Sequence, residues 1–157
     1  MYYTYLDTPA GRLLLISDGR QVTGMHWVVF RRAPVPLASW IERPDVFTEV
    51  IAQLTEYFAG TRRIFDFLYV MQGTLFQQAV WKELERIPYG VATTYRTIAQ
   101  AIGNPKAVRA VGTAVGSNPM SIVVPCHRVL ATDGTLGGYA GGLESKQVLL
   151  SRESIRF

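Results

Sequence analysis

Cysteine occurs once in the 157 residues, at Cys126, and histidine only twice. A single thiol excludes an internal disulfide and any cysteine-rich zinc cluster, and it fits a reducing compartment. No apolar run approaches the ~20 residues needed to cross a bilayer, and the opening MYYTYLDTPAG lacks the basic and apolar regions of a secretory leader. A cytoplasmic location with no membrane partner is the expectation. Charge of either sign is also modest: sixteen Lys/Arg against twelve Asp/Glu give +4, which permits a nucleic-acid partner without requiring one. There is no internal repeat and no low-complexity tail. The segment GTLGGYAGG fails the spacing of a dinucleotide fingerprint and lacks its strand-then-helix setting.

What is present is enough apolar sequence, 48%, for one sizeable core or two small lobes. Residues 2–7, 12–17 and 22–30 are rich in β-branched, aromatic and aliphatic side chains, with the turn pair Asp18-Gly19 between the last two, so they predict an antiparallel meander. Residues 31–44 carry three prolines and the pair Arg31-Arg32, the composition of a surface loop. Asp45 is placed to cap a helix over 46–59 that Gly60 stops, and 64–70 reads as a further strand. His26, beside Trp27 with no second ligand type near it, reads as structural.

Met71-Gln72-Gly73 breaks the pattern and sets the expected boundary between a lobe of residues 1–72 and a domain of residues 73–157. Thr74 caps a helix that Pro88 ends. Thr94 opens a second helix closed by Gly103, and Asn104-Pro105 restarts the chain into a third over 106–116, the outline of a helix-turn-helix. On that third helix Ala107, Ala110, Val111 and Ala114 share one face, and Arg109, Gly112 and Gly116 the other. Glycine inside a helix costs up to ~1 kcal/mol. Two of them beside a cation fit either close packing against another helix or a helix thinned to enter a minor groove about 6 Å wide. A last helix is expected over 143–152, with Glu153 at its end.

Cys126 follows the apolar run 122–124, expected to be a buried strand, and precedes His127. Free cysteine is often just a small core hydrophobe; beside an imidazole it is also a candidate nucleophile. A thiol of ordinary pKa is only about 3% thiolate at pH 7, so it needs a base. Neighbours on an extended strand face opposite ways, which predicts a relay from Cys126 to His127 through one water. Glu153 is the candidate for holding the other ring nitrogen, or else an exposed charge at a helix end.

The block Pro125-Cys126-His127-Arg128-Val129, with Gly134, Gly137, Tyr139, Gly141-Gly142-Leu143, Lys146 and Glu153, resembles the O6-alkylguanine-DNA alkyltransferases. So do Tyr95, Gly103-Asn104-Pro105-Lys106, Arg109-Ala110-Val111-Gly112 and Asn118-Pro119. The resemblance implies an α+β fold, with a ribonuclease H-like antiparallel sheet-plus-helix lobe before a helical, winged helix-turn-helix-like domain. It implies irreversible transfer of an alkyl group from O6-alkylguanine, with O4-alkylthymine as a further candidate, to Cys126 after base flipping through the minor groove of double-stranded DNA. It assigns catalytic roles to Cys126, His127 and Glu153, with Asn118 bracing the active turn. Tyr95, Asn104, Arg109 and Gly112 would meet DNA, while Val129, Tyr139 and the backbone of Ala140 line the guanine pocket, with Ser121 at its rim. Arg128 completes the motif, as a DNA-binding residue or as a structural ion pair. No cofactor and no metal are implied, and the expected form is a monomer that can cluster on DNA. Two other classes stay open: a non-catalytic damage-binding module, against which the cysteine weighs, and a cysteine hydrolase, which would turn over.

Overall fold

The computed structural model describes residues 1–29 and 33–157. The expected strand end at Phe30 and the pair Arg31-Arg32 lie outside the described residues. The expected meander forms: β1 (Tyr2–Thr8) pairs antiparallel with β2 (Gly11–Ser17), and β2 with β3 (Val22–Trp27). Asp18 accepts bonds from the amides of Arg20 and Gln21, and Gly19 takes a left-handed φ of 96°, which makes the second turn tight. From Leu13 to Ser17 every residue of β2 is buried, because it runs between its two partners and is covered on both faces.

The segment expected to be only loop contributes a short fourth strand, β4 (Ile41–Glu42), parallel to β1, so the sheet is mixed, in the order β3-β2-β1-β4. Asp45 does not cap the next helix. Its carboxylate is engaged with Arg43 inside a 3-10 turn, Pro44–Phe47, and α1 (Thr48–Ala59) starts behind that turn, ending at Gly60 with φ 82° as expected. Residues 64–70 do not extend as a strand. Within the sheet they meet only Val22 of β3, whose N–H donates to Leu68 carbonyl and whose carbonyl accepts from Val70 N–H, and the edge of β3 then turns to other partners.

Helix α2 (Leu75–Glu85) opens with a capping box in which Thr74 and Gln77 satisfy each other's backbone amides. After β5 (Thr93–Thr94), Thr94 caps α3 (Tyr95–Ala101), Gly103 reverses the chain at φ 77°, and α4 (Val108–Gly116) follows. That helix begins two residues later than expected. It buries Val111, Ala114 and Val115, whereas Ala110 is exposed. A two-stranded pairing of β5 with β6 (Val129–Leu130) and a final helix α5 (Leu143–Arg152) complete the chain.

One continuous apolar core runs through both halves, from Leu13, Met25 and Tyr57 to Trp81, Met120 and Leu149. The halves are also stitched by main chain: Met25 N–H donates to Pro119 and Met25 accepts from Ser121 N–H, at 2.8 and 3.0 Å. Thus β3 is held in register with the segment that leads to Cys126.

Candidate functional site

The run 122–124 is a turn, not a strand. Asn118 takes its place in the hydrogen bonding: its amide donates to Val124 carbonyl at 2.7 Å and its side-chain oxygen accepts from Met120 N–H at 2.9 Å. Ile122, inside that turn, has φ 72°, an uncommon conformation for a β-branched residue. Strain of this kind persists only where surroundings enforce it. Here Asn118 and the buried neighbours of Ile122 do so, and the chain leaves the turn into a 3-10 helix, Cys126–Arg128. The expected extended geometry around the thiol is therefore corrected: Cys126 and His127 are consecutive residues of one tight helical turn.

Cys126, 4% exposed, lies at the floor of a cavity of about 470 Å³ walled by Tyr95, Arg109, Gly112, Tyr139 and Ala140. That volume suits a ligand of nucleobase size with room to spare. Burial pushes the thiol pKa up, and the Asn118 amide, the Lys146 charge and the Tyr139 hydroxyl pull against it. The sulfur therefore rests as a thiol and must lose its proton before it can attack.

The base is set up behind it. His127 is fully buried, and its Nε2 lies 2.8 Å from Glu153 Oε1. Burial pushes the imidazole pKa down, more than the Glu153 contact raises it, so the ring is neutral. A neutral ring that donates from Nε2 to a carboxylate carries its lone pair on Nδ1. Among the described residues, Nδ1 is the buried side-chain atom left without a protein partner.

Glu153 is not an exposed helix end. It is 2% exposed and its two oxygens accept from His127, from Tyr57 of α1 at 2.8 Å, and from Arg128 Nε at 2.7 Å. Burial alone pushes this carboxyl up, but the bonds from His127 and Arg128 outweigh it and hold the pKa at about 2. Arg128 is thereby corrected as a DNA contact: only 6% exposed, it spends its guanidinium on Glu153 and on Ile87 carbonyl at 2.6 Å.

Val129 is corrected as well. It is fully buried in β6 and does not line the cavity, because pairing with β5 turns its side chain into the core. Ser121 faces a neighbouring cavity with Asn118 and His26, not the thiol. Tyr139 and Ala140 do line the thiol cavity. Asn104 sits exposed in the turn before α4, and Arg109 is exposed at the cavity wall with no ion pair among the described residues. A Cβ on Gly112 would meet nothing closer than Tyr95 at 3.9 Å, and one on Gly116 nothing within 4 Å. Close packing inside the protein therefore does not account for these glycines; they keep an outward face thin.

Three supporting side chains were not assigned a role by sequence. Lys146, fully buried, donates from Nζ to the carbonyls of Val129, Leu136 and Gly138 and so pins the glycine-rich wall; burial lowers its pKa to about 8. Its spacing of three and four residues from Leu149 and Leu150 is the available signal, since it puts a cation on the buried face. Tyr57 and Trp27 reach the site from the other lobe, and nothing local in sequence marks them.

A family model described as the 6-O-methylguanine DNA methyltransferase DNA binding domain matches residues 75–155, and one described as its ribonuclease-like domain matches residues 1–70. The methylated-DNA--protein-cysteine methyltransferase of Haemophilus influenzae is 46% identical over 158 residues, covering 100% of this chain and 88% of that protein. The protein of the same name from Methanosarcina acetivorans is 45% identical over 98% of both chains. Among solved structures, Mycobacterium tuberculosis OGT in complex with DNA superposes with a TM-score of 0.90 at 42% identity, covering 98% of this chain and 92% of that one.

Proposed function

From the premise that this chain belongs to the 6-O-methylguanine DNA methyltransferase family, we infer that it is a DNA-repair alkyltransferase whose acceptor is Cys126. The observation that carries the assignment is a lone thiol at the floor of an open cavity, backed by a neutral His127 whose free nitrogen is a base and whose other nitrogen is tied to Glu153.

A guanine inside a duplex hides its O6 substituent, so the base is extruded, at a cost of a few kcal/mol that is lowest for damaged pairs. The thin outward face of α4 enters the minor groove, Arg109 fills the gap in the stack, and Asn104 meets the backbone. Tyr95, whose pKa burial pushes up, keeps its proton and donates it in a hydrogen bond to the extruded base. The thiol proton passes through a water to His127 Nδ1, and Glu153 steadies the imidazolium. Sγ then forms a bond to the alkyl carbon while the carbon–O6 bond breaks, and its electron pair leaves with the guanine. The product thioether has no easy exit, so each chain reacts once. We place the reaction in the cytoplasm, with the protein acting as a monomer on double-stranded DNA.

Incubation with duplex DNA bearing O6-methylguanine should add one methyl group per chain, on the peptide containing Cys126, as read by mass spectrometry. Transfer that survived in Cys126→Ala, or more than one equivalent of demethylated guanine, would overturn the assignment.

A further inference from the structure

We propose that Trp27, at the end of β3 in the first lobe, is a positioning residue for this reaction: its indole N–H aims the Tyr139 hydroxyl proton at the sulfur of Cys126. The inference rests on the reading of Cys126 as the acceptor.

The indole nitrogen lies 3.0 Å from Tyr139 Oη, with the two rings edge-on at 62° and centroids 6.3 Å apart. An indole N–H can only donate, so the phenol oxygen must accept there. That leaves the single Tyr139 proton for another acceptor; Tyr139 and Cys126 wall the same cavity, and there the hydroxyl favours the charged sulfur. Burial pushes the Tyr139 pKa well up, so the phenol remains a donor while the sulfur ionises.

Trp27 is itself unable to turn. It is 3% exposed, paired with Leu13 in the sheet, and gripped between two glycines: a Cβ on Gly141 would come within 2.8 Å of the indole and one on Gly11 within 3.4 Å. Met25, two residues earlier, bonds to Pro119 and Ser121 through its main chain. One strand thus registers both the turn that carries the thiol and the loop that carries Tyr139. The remaining polar groups that act on the sulfur are Asn118 before the turn, Tyr95 on α3 and Lys146 on α5, while the next residue, His127, is tied through Nε2 to Glu153. None of these contacts Trp27 through a hydrogen bond, so its influence runs through Tyr139.

Trp27→Phe keeps an aromatic ring and removes the donor. Because Cys126 is the only thiol, its reaction with iodoacetamide reports its ionisation directly, with and without DNA. The pH midpoint of that reaction should move upward in Trp27→Phe. Reaction at pH 7 should fall about 3- to 10-fold, the value of one neutral hydrogen bond, and the two proteins should converge at high pH. Tyr139→Phe should give the same upward move, and adding Trp27→Phe to it should change nothing more. An unmoved midpoint in either single variant, a loss equal at every pH, or a full further loss in the double variant would overturn the inference. Failure of the alkyl-transfer reading is distinguishable: the unaltered protein would then accept no methyl from O6-methylguanine DNA, whatever the iodoacetamide profile.

Discussion

Glu153 concentrates the residue-scale chemistry, since one buried carboxylate orients the imidazole, neutralises Arg128 and receives Tyr57 from the other lobe. A carboxyl held near pKa 2 in the fold and near 4.5 when unfolded is a stability device with a definite sign. Its folded value is the lower one, so its stabilisation is complete above about pH 4.5 and drains away as pH falls toward 2. The two values put about 3 kcal/mol at stake. Urea titrations followed by circular dichroism should show stability falling through that window. In Glu153→Gln, which is already destabilised at neutral pH, the slope across it should be much flatter. A wild-type slope matching that of the variant would remove Glu153 as the cause.

At the scale of elements, α4 is built against its own stability. Replacing a helical glycine with a good helix former adds up to about 1 kcal/mol, and Gly116 has open space where a Cβ would go. Gly116→Leu should therefore melt at least as high as the parent while binding duplex DNA more weakly in a gel-shift assay. A variant that bound DNA normally would show that this face does not approach the duplex. Helices α2 with its Thr74 cap and α3 with its Thr94 cap were legible in sequence because apolar spacing and local capping agree there, whereas α4, without a side-chain cap, was legible from spacing alone and its start was not. The runs 64–70 and 122–124 resemble strands in sequence without forming them, for a common reason: apolar residues mark burial, and burial does not require a ladder. Val22 takes up the first run through two main-chain bonds only, and Asn118 supplies from its side chain the partner that a strand would have offered Val124. Cys126, His127, Tyr139 and Ala140 were legible from their motif. The burial of Arg128 and Val129, and the reach of Trp27 and Tyr57 across the lobes, depend on tertiary packing that no local pattern encodes.

For the molecule as a whole, the +4 charge is small, so DNA binding should rest on few phosphate contacts plus groove insertion. Even a few contacts release counterions, and raising salt from 50 to 200 mM should weaken duplex binding about tenfold or more, by fluorescence anisotropy. The iodoacetamide reaction of Cys126 without DNA should barely change over the same range, because the charge that favours the ionised sulfur, Lys146, is buried away from counterions. A parallel loss in both assays would mean that salt acts on the fold. The solitary thiol also sets how the molecule is used up. With no second cysteine in the chain to displace a substituent or accept it onward, the molecule is consumed like a reagent. The number of lesions a cell can erase between rounds of synthesis then equals the number of unspent copies it holds.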